Sequence, residues 1–420
     1  MIRLTFNIVS QRIREIIGGS SIFWYGLYYL SIAYKNIAPQ RATNFLYKIH
    51  RATTSRKIRR RIENSIDYCY QSRRISTIRP EIAAHKLLGT RILVIKPYCS
   101  IEEKGVLHIK FTDTINIMPR FFNMQRLLER YYLVIEPSWT GLCDHAILQY
   151  CLYEQPVFVL APEEYDYQFI QHAPNLVPVR LGPSDWVDPR IAENYLGIPK
   201  EHDILMNSNW AFWKRHYVLF KALNKLPPEI KVALIGVPWG GNTVDTIRCM
   251  AALYKVKQSI DYFESIPYDQ VIKINCASKL SLLLSLKEGS NRALAESMFC
   301  NVPVIALKRH VGGIRKNINR FTGVFADERK LHKHILEMLS NYQTFNPRSW
   351  ANENISCIQS TIHLNHILQS TIAAFDPQSQ WTTDIAIRSN SPESNYFDPI
   401  ASNACRDENK QLSSYLNTSI

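Results

Sequence analysis

No Asp-x-Asp pair and no Cys-x-x-Cys pair occurs in this 420-residue sequence, and no internal repeat organises it. The nine cysteines, at 69, 99, 143, 151, 249, 276, 300, 357 and 405, are scattered and odd in number, and no Cys/His cluster has metal-ligand spacing. A disulfide framework and a zinc module are thereby excluded. The cysteines read as reduced intracellular thiols with no cleavable signal peptide ahead of them. A long apolar run is missing as well. Between Glu15 and Lys35 lie nineteen uncharged residues dense in Trp and Tyr, but Gly18-Gly19-Ser20-Ser21 interrupts them. Only Ile22 to Tyr34 is continuously favourable, shorter than the ~20 apolar residues a spanning helix needs. Acids are scarce at the start: residues 1–80 hold 15 Lys and Arg against Glu15, Glu63 and Asp67, so most of the net charge of +14 sits in the first fifth.

Three readings of that basic stretch stay open. Aromatics followed by Arg41, Lys48, Arg51, Arg56, Lys57 and Arg59-Arg60-Arg61 suit an interfacial helix on an anionic membrane surface, each cation contributing roughly 1 kcal/mol. A helical extension that packs its aromatics on the rest of the chain and solvates its basic face is the plain alternative. The third is nucleic-acid binding, which no RNA-binding motif supports. With the first reading the protein is expected to be cytoplasmic, peripheral on the inner face of a membrane.

What is present is a chain with 46% hydrophobic residues, ample for two cores. Arg91–Lys96, Gly105–Phe111, Tyr132–Ile135 and Pro156–Leu160 read as strands of a parallel sheet, with helical stretches at Arg120–Arg130 and Ala146–Leu152 between them. A second series follows: strands at Asp203–Met206, Lys231–Gly236 and Val271–Ile274, with a helix over Lys214–Leu226. Two Rossmann-like domains are expected, with a boundary between Glu193 and Asp203 and ligands at the strand C-terminal ends in the cleft between the domains. Asn346-Pro347 starts a last helix running to about Leu368, and from Asp376 onward periodicity fades into a polar tail, mobile or loosely docked.

The densest chemistry lies at Ser285–Ile305, SLKEGSNRALAESMFCNVPVI. Leu282–Leu286 reads as a buried strand, Lys287–Asn291 supplies breakers and a cap, Arg292–Phe299 is a helix, and Val304–Leu307 is the next strand. Such a helix offers free N–H groups and a partial positive charge at its first turn, where a diphosphate binds without a side-chain cation. Glu288 sits just before that turn and Glu296 about two turns in, at most ~12 Å apart along an axis rising 1.5 Å per residue. The plain alternative is a pair of solvated surface charges.

Glu288-Gly289, Glu296, Met298, Cys300 and Pro303-Val304-Ile305 resemble the glutamate-x7-glutamate signature of the family 4 retaining glycosyltransferases, of glycosyltransferase group 1 type. The resemblance implies an α/β GT-B fold, two Rossmann-like domains facing a cleft, here with an N-terminal helical extension. It places Glu296 on the nucleotide ribose, Glu288 beside the donor sugar, and Gly289, Ser290, Asn291 and Arg292 against sugar and phosphates. Ser290-Asn291 stands where the family has Phe-Gly, and Asn301 where it has Gly. Lys214, eight residues before Ala222, resembles the family's phosphate-binding Lys; Asn209 occupies the place of its Arg, and Arg215 is the substitute cation. His310-Val311-Gly312-Gly313 resembles the Gly-Gly loop near the donor, continued by Arg315-Lys316 where the family has Pro-Glu. Glu102–Gly105 stands where the family has a Gly-rich turn.

In the first domain, Asp144 and His145 lie between a strand and a helix, where the acceptor must be received. They are the catalytic candidates there beside Glu288, against the plainer readings of an N-cap and a packed histidine. With no Asp-x-Asp pair, no metal and no other cofactor is expected, the phosphates being neutralised by Lys214, a helix N-terminus and Arg215. The expected organisation is an extension over 1–85, an acceptor domain over 86–198, a donor domain over 199–345, a crossing helix over 346–372 and a tail over 373–420. The expected activity is retaining transfer of a sugar from a nucleotide diphosphate-sugar to an acceptor hydroxyl on a glycan or lipid-linked precursor. A GT-B sugar-nucleotide epimerase or phosphorylase, a non-catalytic sugar-binding relative and a nucleic-acid binder are the alternatives.

Overall fold

The computed structural model describes residues 2–53, 55–65, 84–392 and 394–417; Asp67 and Cys69 fall outside them. The chain divides into two compact units. The N-terminal unit comprises residues 17–186 and 360–420, and the C-terminal unit residues 187–359 together with 1–16. The extension expected over 1–85 is thus divided between the units, and the unit boundary falls at Trp186/Val187 instead of between Glu193 and Asp203.

Four helices open the chain: α1 (Ile2–Gly19), α2 (Ser21–Lys35), α3 (Pro39–Ala52) and α4 (Arg56–Glu63). Leu46, Ile49, Ile58 and Ile62 join the core of the N-terminal unit, while Ile22, Tyr29 and Leu30 of α2 stay exposed. Helices α3 and α4 therefore pack on the N-terminal unit, and α2 still presents apolar surface. Among the described residues no single helix is long and apolar enough to cross a membrane.

The N-terminal unit has five strands, β1 (Ile92–Lys96), β2 (Gly105–Lys110), β3 (Tyr131–Glu136), β4 (Val157–Leu160) and β5 (Leu176–Val179), in the order of the sequence. Contrary to the all-parallel expectation, β1 runs antiparallel to β2, since the eight residues between them are too few for a crossover connection. Helices α5 (Thr112–Phe121), α6 (Met124–Arg130), α7 (His145–Leu148) and α8 (Glu164–Ile170) connect the parallel strands. The helix expected over Arg120–Arg130 is broken where Asn123 caps α6, accepting from Arg126 N at 3.1 Å. Alternate strand residues feed two cores: Leu107, Ile109 and Leu133 on one face, Val106, Tyr132 and Val134 on the other.

The C-terminal unit has six parallel strands, β6 (His202–Asn207), β7 (Val232–Gly236), β8 (Ile260–Glu264), β9 (Ser278–Leu283), β10 (Val304–Leu307) and β11 (Gly323–Ala326), in the order β8-β7-β6-β9-β10-β11. Winding starts at β6, proceeds to one edge, returns to β9 and proceeds to the other. This is the doubly wound order, with its reversal between β6 and β9. The flanking helices are α9 (His216–Leu223), α10 (Val244–Leu253), α11 (Tyr268–Cys276), α12 (Arg292–Phe299), α13 (Leu331–Asn341) and α14 (Pro347–Asn354). Val271–Ile274 lies in α11 and not in a strand; its short apolar run suits either state, and burial of Ile272, Asn275 and Cys276 has helical spacing.

The last long helix is two pieces, α14 and then α15 (Cys357–Phe375), separated at Ile355-Ser356. The segment after it is docked, the second of the two states expected of the tail, and carries α16 (Asn403–Gln411). It covers the free edge of β1: Ala386 N donates to Ile95 O at 2.6 Å, the Tyr396 hydroxyl to Val94 O at 2.7 Å, and Val94 N to Asn409 Oδ1 at 2.8 Å.

Candidate active site at the strand-order reversal

Two junctions meet where the winding of the C-terminal sheet reverses. After β6 the chain passes through Ser208–Ala211 into a short turn over Phe212–Lys214, and Arg215, in the left-handed region at φ 66°, starts α9. After β9 the chain runs through Glu288 into α12, which Asn291 caps by accepting from Leu294 N at 2.8 Å.

Lys214 Nζ lies 2.7 Å from Glu288 Oε1, and Asn291 Nδ2 donates to Glu288 Oε2 at 2.8 Å. Burial opposes ionisation of Glu288, yet the charge of Lys214 and the bonds from Lys214 and Asn291 outweigh it and hold the carboxyl below its ordinary 4.5. The Gly-Gly loop closes on this junction. Val311 pairs with Lys287 as a parallel bridge, and Gly313 N donates to Gly289 O at 2.6 Å. Gly312 has no room for a side chain, since a Cβ there would stand 2.8 Å from both Glu288 O and His310 Nε2. His310 is buried, with Nδ1 2.8 Å from Ser285 O and Nε2 without a hydrogen-bond partner among the described residues. Burial lowers its pKa against the pull of Glu288.

Glu296, also buried, accepts from the Tyr268 hydroxyl at 2.9 Å and from Arg292 Nε at 2.7 Å, with the Arg292 guanidinium 5.5 Å from the Tyr268 ring centroid. Burial and the Glu296 charge push the Tyr268 phenol up. Tyr268 had no signal in the sequence, because it opens a helix where a strand was expected. Ser290 lies half-buried between Glu288 and the cap.

Other expected residues fall elsewhere. Arg215 is no phosphate ligand: at 1% exposure its guanidinium is enclosed by Glu15, Glu328, Tyr217 and Leu284 O. Asn209 stays within its own turn, its Oδ1 3.4 Å from Ala211 N. In the N-terminal unit Asp144 is a helix cap, accepting from Ala146 N at 2.9 Å, with Arg51 3.9 Å away. His145 is half-buried in the first turn of α7. Glu103 is no part of a phosphate loop. It pairs with buried Lys96 at 2.7 Å and accepts from Thr382, and Gly105 is required by the approach of Lys96 O and the Tyr131 ring.

A buried carboxylate paired with a lysine beside a capped helix start can exchange partners with a ligand that brings both phosphate and hydroxyl groups. Residues 190–354 match the family model described as glycosyl transferases group 1. Over this segment the chain is similar to that family. It contains Lys214, Glu288, Asn291, Glu296 and the Gly-Gly loop, and lies within the C-terminal unit. No curated protein matches the chain. Solved structures resemble it distantly. Anabaena Alr3699/HepE in complex with UDP and glucose is 16% identical over 63% of this chain and 78% of that one, with a TM-score of 0.49. Sucrose-phosphate synthase from Thermosynechococcus elongatus is 15% identical over 64% and 74%, also at 0.49. The apo form of the lipopolysaccharide outer core galactosyltransferase WaaB is 16% identical over 59% and 70%, at 0.44. The architecture is mixed α/β with two sheet-bearing units and a helical N-terminal region, the fold class expected of a GT-B glycosyltransferase. The matched segment begins at residue 190, so α1, whose first fifteen residues belong to the same unit, lies outside it.

Proposed function

We propose that the protein is a family 4 retaining glycosyltransferase that moves a sugar from a nucleotide diphosphate-sugar to an acceptor hydroxyl. The observation that carries the reading is the pairing of Lys214 with buried Glu288 and Asn291 at the first turn of α12, beside the reversal between β6 and β9. Lys214 and the α12 N-terminus neutralise the diphosphate, with no metal or other cofactor required. Glu288, freed from Lys214, accepts hydrogen bonds from sugar hydroxyls, and Glu296, buttressed by Tyr268 and Arg292, takes the ribose. The bond from the anomeric carbon to the diphosphate oxygen breaks as the acceptor oxygen bonds on the same face, and the acceptor proton passes to the leaving phosphate. Fixed cationic groups stabilise that leaving charge.

The acceptor is a glycan or a lipid-linked precursor, met at the inner face of a membrane by a cytoplasmic enzyme. Supporting this are Phe6, Val9, Ile13 and Ile16, an exposed stripe at helical spacing on α1, and an open groove of about 590 Å³ lined by Leu30, Tyr34 and Phe45 beside Arg41 and Lys48. The test is thermal stabilisation by a panel of nucleotide sugars, then nucleoside diphosphate release with glycan and lipid-linked acceptors. If no nucleotide sugar stabilises the chain, or Glu296→Ala binds the donor as the wild type does, the reading fails.

A further inference from the structure

Arg215 follows Lys214 directly and is the most completely enclosed cation of the C-terminal unit. Its Nε and Nη2 reach Glu15 Oε1 and Oε2 at 2.9 and 3.1 Å, Nη2 also reaches Glu328 Oε2 at 2.7 Å, and Nη1 donates to Leu284 O at 2.9 Å. The fork pairing with Glu15 is the bidentate geometry that fixes a guanidinium in plane as well as in position. Glu15 is itself oriented. Gln11 and Arg12 of its own helix reach it at 3.2 and 3.4 Å, the Tyr217 hydroxyl donates to it, and Arg12 binds Glu328 at 2.8 Å. Ile8, two turns before Glu15 on the same face of α1, is buried in the core of the unit.

Two consequences follow from this enclosure. A non-glycine residue at φ 66° is costly unless its surroundings over-determine it, and here the buried guanidinium does so. The same guanidinium holds Leu284 O, at the end of β9 and on the path to Glu288. One side chain therefore fixes both junctions of the Lys214–Glu288 pair, and its principal counter-charge comes from residue 15.

We propose that Glu15 is a positioning residue for donor binding: through Arg215 it sets the turn that carries Lys214, so that α1 is a working part of the donor site although it lies outside the matched domain. This rests on the donor-site reading given above. The sequence held a faint trace of it, since Glu15 is the one acid among the first 62 residues of a strongly basic segment.

The test is a double-mutant cycle on the full chain, with UDP, GDP and ADP as probes and dissociation constants from calorimetry. Glu15→Gln is expected to weaken the diphosphate that binds wild type by about tenfold, Glu15→Asp by no more than about threefold, and Glu15→Gln in a Lys214→Ala background by less than about twofold. Should Glu15→Gln fold poorly, Tyr217→Phe, which removes one donor to Glu15 and keeps the ring, reads the same coupling. A lower melting temperature with an unchanged Kd, or effects that multiply independently in the double variant, would overturn the proposal and leave Lys214 as a ligand. Binding of none of the three diphosphates by wild type would overturn the donor-site reading and this proposal with it.

Discussion

The two sheets end in opposite ways. In the C-terminal unit winding reverses between β6 and β9, and the charges at the reversal, Lys214 and Glu288, are matched to each other beside a helix start. In the N-terminal unit β2 to β5 follow one another in a single direction, so the sheet has no reversal. Its charges are sealed instead. Glu136, at the end of β3, accepts from Trp186 Nε1 at 3.0 Å and lies 3.3 Å from Arg388 and 2.9 Å from His108. Burial opposes its ionisation, but Arg388 and His108 prevail and hold the carboxyl at about 2. A charge pair is thus a lock in one unit and, on the proposed reading, an exchangeable arrangement in the other. The difference lies in whether the sheet has a winding reversal beside the charges, the place where ligands bind in open α/β sheets.

That contrast can be broken by exchanging the expected phenotypes. Arg388→Ala leaves Glu136 buried without its main cation and should cost ~3–5 kcal/mol of stability while leaving nucleoside diphosphate affinity unchanged, as read by urea unfolding and calorimetry. Lys214→Ala should lower transfer by ~10²–10³-fold, with a melting temperature close to that of wild type, because Glu288 keeps Asn291 and can protonate. The reverse pattern, stability lost at Lys214 and donor affinity lost at Arg388, would invert the assignment of the two units.

Acid sensitivity sharpens the comparison, since each unit buries a histidine. Burial and the charge of Arg388 push His108 down to about 4, and burial with the charge of Lys214 pushes His216 down to about 3. An unfolded imidazole protonates near 6.5, so below that value the unfolded state binds more protons and stability falls as pH drops toward about 4 and about 3. Urea midpoints should therefore decline from pH 7 to pH 5, and His216→Gln should flatten part of that decline. The smallest effect is expected at Asn291→Ala, where loss of the α12 cap costs ~1 kcal/mol and donor binding weakens a few-fold as Glu288 Oε2 loses its donor.

Lys214, Glu288, Asn291 and Gly312 were legible because strand-to-helix junctions are written in contiguous residues: an apolar run, a breaker and a cap. Arg215 was not, since its partners Glu15 and Glu328 lie 200 and 113 positions away and only the fold brings them together. The sequence left the tail open between mobile and docked for a related reason. Tyr396 and Asn409 hold the edge of β1 through side-chain bonds to backbone, which leave no hydrophobic period in the sequence. Val271–Ile274 shows the opposite failure, a short apolar run legible as either strand or helix until burial decides. Asp144 satisfied the plain chemistry of a cap, and nothing beyond it.

The most direct test is hydrogen–deuterium exchange of the full chain with and without a saturating nucleoside diphosphate. Added protection is expected over residues 208–216 and 285–299, with the peptides spanning 131–148 unchanged. Protection confined to 131–148, or none in either region, would contradict it.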